Sequence, residues 1–121
     1  MKTNKVIFAL LITFFATNCV QKTSLKTVIV HLTVKGRQDI KTVGIRGNGK
    51  PLSWDKDFLM KTVVKDSLYT VTITTKTAYK FAEIKFTVNG EFELQNKPNR
   101  RVIFNEKSDT TVYKAVFDKA E

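Results

Sequence analysis

The sequence predicts an all-β domain, an antiparallel β-sandwich of seven or eight strands. Three observations carry that reading. Apolar and polar residues alternate through most of the chain beyond residue 24, the period of two that marks half-buried strands. Turn residues punctuate those runs at short intervals, and no helical period appears among them. A set of short strands with turns between them is the pattern of two sheets packed face to face.

The elements come in order along the chain. In Leu25 to Val34, Val28, Val30, Leu32 and Val34 point one way, and Thr27, Ile29, His31 and Thr33 the other. Thr42 to Arg46 is a short second strand, and Gly47-Asn48-Gly49-Lys50-Pro51 is a loop by its glycines and proline. Phe58 to Lys65 reads as one strand. Asp66-Ser67 turns the chain into Leu68 to Thr75, where Tyr69, Val71 and Ile73 share a face. Tyr79 to Val88 places Ala82, Ile84, Phe86 and Val88 on one side. Asn89-Gly90 then fits a two-residue type I′ hairpin, since both positions need positive φ. Phe92 and Leu94 lie on one face of the return strand, and Arg101 to Phe104 and Thr110 to Phe117 complete the set. Val, Ile, Leu and Phe at the inward positions are enough to core one domain of this length.

The N-terminus reads differently. Lys2 and Lys5 precede Val6 to Phe15, an apolar run broken only by Thr13. A positive start and an apolar stretch of ~7–15 residues make a secretory signal; a bilayer span needs ~20. Cys19 is the sole cysteine, so no internal disulfide can form. Its place just after the apolar run resembles the lipid-modified cysteine of bacterial lipoproteins. That resemblance implies residues 1–18 as a signal peptide, 19–24 as lipidated N-terminus and short tether, and 25–121 as the sandwich. Each buried acyl methylene adds ~0.8 kcal/mol to membrane attachment. The residues after Cys19 (VQKTS) carry no acidic run, which favours a periplasm-facing anchor in the cell envelope over a surface one. An envelope protein partner remains open.

From Val20 onward 19 basic side chains stand against 11 acidic ones, a formal charge of +8. That sign favours anionic partners. The basic residues are spread over alternate strand positions, with only Arg100 and Arg101 adjoining, as a solvated face would have them. Nucleic acid is not expected as a partner of an exported chain.

No catalytic constellation is visible. A nucleophilic triad needs a nucleophile, a base and an orienting group. The only histidine, His31, sits mid-strand, and no G-x-S-x-G elbow exists. Asp55 and Asp57 are the nearest approach to a metal site, and one i, i+2 pair without further oxygen ligands reads as a solvated turn. The expectation is no enzyme, no metal and no cofactor.

Binding remains. Trp54 is the only tryptophan and sits in a loop-to-strand segment, PLSWDKD. It can serve as a flat platform for a pyranose ring, or as a core plug at the end of the sandwich under Phe58 or Met60. From Trp54 onward the chain resembles the starch-binding domain family, carbohydrate-binding modules (family 20 type) attached to amylases and glucoamylases, and their glycogen-binding relatives. The ordered set that carries the resemblance covers nearly the whole predicted domain. It comprises the opening strand TVIVHLTV, a glycine loop running into Leu52-Ser53-Trp54, the strand with Leu68-Tyr69, the pair Lys85-Phe86, a tight hairpin, and Pro98-Asn99-Arg100.

The resemblance implies an immunoglobulin-like starch-binding-domain topology and one sugar site. Its residues here are Trp54, Lys85 and Asn99. The family's second tryptophan is absent. Phe92, followed by Glu93, takes its place if the hairpin sets the register. Leu94 takes it if the count runs back from Pro98. Phe92 keeps an aromatic surface and is preferred. Tyr79-Lys80-Phe81 offers a second match to the Lys-aromatic pair. The chain is thus expected to be a non-catalytic, lipid-anchored module with a weakened site for starch-like α-glucans. The competing reading keeps the fold and makes it an envelope interaction or scaffold domain without sugar.

Overall fold

A computed structural model describes residues 22–121. The expected signal peptide, residues 1–18, and the expected lipidation site, Cys19, lie outside the described residues. Among the described residues no helix is long and apolar enough to cross a membrane.

The described residues form nine strands in two sheets: β1 (Ser24–Thr33), β2 (Val43–Gly47), β3 (Phe58–Leu59), β4 (Lys61–Val64), β5 (Leu68–Thr77), β6 (Phe81–Val88), β7 (Glu91–Phe92), β8 (Arg100–Ile103) and β9 (Thr110–Val116). One sheet runs β4-β5-β1-β9 and the other β3-β2-β6, with β7 and β8 sharing the far edge of β6. The sandwich is therefore all-β, as the alternation predicts. The inward set is also as expected: Val28, Val30, Leu32, Tyr69, Val71, Ile73, Ile84, Phe86 and Val88 are all buried. One pair departs from the antiparallel pattern, since β1 and β9 run parallel from Thr27↔Thr110 to Thr33↔Val116.

The single strand expected over Phe58 to Lys65 is two. β3 pairs with β2 and β4 with β5, so the chain crosses from one sheet to the other at Met60. Met60 is buried and donates its N–H to the Val43 carbonyl at 2.8 Å. A strand that changes sheets closes the end of the sandwich without leaving its backbone unpaired.

The Asn89-Gly90 hairpin has positive φ at both positions, 51° and 81°, as a type I′ turn demands. The Asn89 side chain does more than turn. Its Oδ1 accepts from the Lys41 and Thr42 N–H groups, tying the hairpin to the start of β2. Among the described residues, every strand and every buried apolar side chain lies between Ser24 and Phe117, so this stretch carries a core of its own.

Candidate functional site

The outward face of the five-stranded sheet collects the predicted residues. Inward Ile45 and Phe86 are partners in the ladder, so the next pair, Arg46 opposite Lys85, points outward. Phe92 lies opposite Thr87 on the same face.

Arg46 organises this surface. Its Nε donates to Asp57 Oδ1 at 2.7 Å, and its Nη1 donates to the Trp54 carbonyl at 3.1 Å. The guanidinium carbon lies 4.8 Å from the centre of the Phe92 ring, a cation–π contact worth about 0.5–1 kcal/mol at a partly exposed site. One side chain thus fixes the loop that carries Trp54 and covers one face of the Phe92 ring. Asp57 is fixed in turn, because the same Oδ1 accepts from Thr87 Oγ1 at 2.8 Å. The carboxylate can lie there because Gly44 beneath it has no side chain. A Cβ on Gly44 would sit 2.6 Å from Asp57 Cγ and 2.8 Å from Thr87 Oγ1. Asp57 is therefore a partner of Arg46. Among the described residues no group of three His, Cys, Asp or Glu could hold a metal ion.

Trp54 is half-buried, neither free on all sides nor packed away. Lys85 donates from Nζ to the carbonyls of Leu94 at 3.0 Å and Lys97 at 3.1 Å. An ammonium carries three donors, so one remains for a ligand oxygen. Asn99 is exposed and makes one long bond, Nδ2 to Glu83 Oε2 at 3.4 Å. Glu83 lies two residues before Lys85, on the same outward face. Phe92, Lys85 and Asn99 are brought to the outward side of this sheet, and Arg46 holds the Trp54 backbone to the same side.

Glu93 is not on that side, and the structure corrects its place in the expected site. Its side chain is fully buried and paired with Arg100, Nε to Oε2 at 2.7 Å and Nη2 to Oε1 at 2.8 Å. The carboxylate also accepts the Phe86 N–H at 3.0 Å and the Asp118 N–H at 3.0 Å. β7 ends at Phe92, and the Glu93 side chain supplies an acceptor the strand no longer provides. Burial alone would pull the Arg100 guanidinium's pKa down, but its bonds to Glu93 and Tyr113 outweigh that and raise it.

Leu94 also departs from expectation. It has φ 47° and is buried, with its N–H on Asp118 Oδ1 at 2.8 Å. It therefore does not share an exposed face with Phe92, and Phe92 is the aromatic that Arg46 links to the Trp54 loop. The alternative pair falls elsewhere: exposed Tyr79 and Lys80 precede β6 at the end of the sandwich.

Sequence reasoning missed Arg46, Gly44 and Thr87, and it read Asp57 as part of a solvated turn where the structure bonds it to Arg46 and Thr87. Arg46 reads in the chain as one more basic residue on a strand. Its role depends on the β2–β6 register and on where the loop after β2 returns.

No protein-family model and no curated protein matches the chain. Among solved structures it is similar to a glycoside hydrolase family 15 glucoamylase from Hypocrea jecorina, with TM-score 0.59 and 18% identity. The match covers 84% of this chain and 18% of the glucoamylase chain, so this domain shares the fold of a small part of that enzyme.

Proposed function

We propose that this domain is a non-catalytic carbohydrate-binding module that holds a starch-like α-glucan weakly on the outward face of β2, β6 and β7. The observation that carries the reading is that Arg46 joins the Trp54 backbone, the Phe92 ring and its ladder partner Lys85 on one face, with Asn99 bonded to Glu83 two residues before Lys85. Two aromatic rings would contact the apolar faces of pyranose units. The free donor of Lys85 and the Asn99 amide would take hydroxyl oxygens. The sequence resemblance to starch-binding modules and the likeness of fold to part of a glucoamylase support the same substrate class.

With a phenyl ring where the family carries a second indole, affinity should be low. An aromatic contact is worth about 0.5–1.5 kcal/mol beyond burial, or about 2- to 12-fold in Kd. Clustering by a lipid anchor at Cys19 on an envelope membrane would offset that loss through multivalency. The anchored location is part of this proposal.

The test is a titration of β-cyclodextrin or maltoheptaose into residues 20–121, followed by Trp54 fluorescence, since this is the only indole. Saturable quenching is expected. Calorimetry with Trp54→Ala and Phe92→Ala should then show binding lost while circular dichroism stays native. A flat titration to millimolar sugar would remove the reading.

A second reading, an envelope protein-interaction domain, draws on a different surface. Leu59, Val63 and Val64 are more than half exposed along β3 and β4, and apolar edge strands are sites of protein contact.

A further inference from the structure

At one end of the sandwich the two sheets do not match. Inward positions of β5 run Tyr69, Val71 and Ile73 and then become Thr75 and Thr77. Their β1 partners change in step, from Val28 opposite Ile73 to Lys26 opposite Thr75 and Ser24 opposite Thr77. Polar demands there are met locally. Thr75 Oγ1 donates to the Lys50 carbonyl at 2.7 Å, and Lys26 faces Asp109 at 3.6 Å. The opposing sheet stays apolar through the same level, with Ala82 against Val102 and then Phe104. Apolar surface on one sheet therefore lacks an apolar counterpart on the other.

The result is an open cavity of about 410 Å³ between the sheets, floored by Ile45, Ile73, Ile84, Val102 and Phe104. Protein interiors are packed like organic crystals, and an apolar void of ~150 Å³ already takes up benzene. This one falls in the ~300–1,000 Å³ range of small-molecule sites. Its mouth is amphipathic. Thr23, Asn48 and Tyr79 border it, and Tyr79 is 73% exposed. Lys76 is among the lining residues, exposed Lys50 and Lys80 adjoin the lining residues Gly49 and Tyr79, and residues 48–52 and 75–81 hold no acidic residue.

We propose that this cavity binds one aliphatic carboxylate, a fatty acid whose chain lies between the sheets and whose head meets the lysines of the mouth. Apolar depth calls for the chain, and the positive rim selects an anionic head over a neutral or cationic one. The site is separate from the proposed sugar face, which lies on the outside of one sheet.

The test uses residues 20–121, first shown to be folded by cooperative thermal unfolding. Laurate, kept below its micellar concentration, is titrated by calorimetry, with dodecanol as the neutral control. One laurate per chain and a concentration-dependent rise in Tm are expected, with dodecanol about 2- to 5-fold weaker, the size of an exposed charge contact. Ala82→Leu, which intrudes on the cavity, should weaken laurate about tenfold or more. If that variant misfolds, Lys76→Glu with Lys80→Glu, both on the surface, should weaken laurate while sparing dodecanol. Saturating maltoheptaose should leave laurate uptake unchanged, so the two sites stand or fall separately. Absence of binding, unsaturable binding of several laurates per chain, or equal affinity in every variant would overturn the proposal.

Discussion

Replacing Arg100 by methionine is the most informative perturbation of this fold. Arg100 is 5% exposed and makes a two-bond pair with Glu93, which is 1% exposed. Methionine fills similar space but leaves the Glu93 carboxylate without its counter-charge. Breaking a buried pair on one side costs about 3–5 kcal/mol. Here Glu93 keeps the Phe86 and Asp118 N–H donors, which places the cost near the lower end, about 3 kcal/mol. The carbonyls of Val116 and Lys119, which Arg100 also serves, lie in a partly exposed C-terminal segment and can turn to water.

For a domain of this size, with ~4–8 °C lost per kcal/mol, Tm should fall by roughly 12–24 °C. Urea unfolding followed by Trp54 fluorescence and circular dichroism measures the loss. The pair Glu93→Leu with Arg100→Met removes both charges and leaves mainly the buried Phe86 N–H unpaired, so it should cost only about 1–3 kcal/mol. The double variant should be more stable than Arg100→Met alone. A single variant within about 1 kcal/mol of the parent, or a double variant worse than the single, would refute the assignment of Glu93 and Arg100 as the internal clasp.

Three further outcomes rest on particular residues. Burial and the bond to Glu121, only partly opposed by Arg100, push the Tyr113 hydroxyl up to about 12 from 10.0. The folded state therefore keeps a proton that the unfolded chain releases, and its contribution is full below about pH 10 and lost as pH rises toward 12. Tyr113→Phe should flatten part of the decline in Tm over that window, as pH-dependent unfolding would show. Gly44→Ala forces Asp57 off its seat and should cost about 1–3 kcal/mol, with maltoheptaose affinity falling alongside, by urea unfolding and calorimetry. Arg46→Ala frees the Trp54 loop and uncovers Phe92, so calorimetry should show sugar affinity reduced about 2- to 5-fold, the scale of a cation–π contact, with the fold retained.

Much of this architecture is readable because one face of each long strand is buried. Val28, Val30 and Leu32, then Tyr69, Val71 and Ile73, then Ile84, Phe86 and Val88 fall on every second position and are all buried, and a one-residue slip would expose the whole set. Asn89-Gly90 is legible because few residues tolerate two successive positive φ angles. Other features depend on partners distant in sequence. Phe58 to Lys65 alternates like one strand, and only the bond from Met60 to Val43 marks where it leaves its sheet.

The parallel β1–β9 pair leaves no trace in either strand's own pattern. Glu93 reads as a polar residue after a hairpin and gives no sign of burial, because its partner Arg100 reads as a strand-edge charge. The candidate site divides along the same line. Aromatic and amide residues stand out by type, whereas Arg46 gains its role from register and from the returning Trp54 loop.

The central claim is the proposed glucan site on the outward face of β2, β6 and β7, and amide and side-chain NMR shifts test it directly. With maltoheptaose added to isotopically labelled protein, the Trp54 indole N–H, the Phe92 amide and the Asn99 side-chain amide should move together and saturate at one affinity. His31 and Val112, on the outward face of the other sheet, should stay fixed. Shifts confined to that other sheet, or none at all, would contradict a glucan site on β2, β6 and β7.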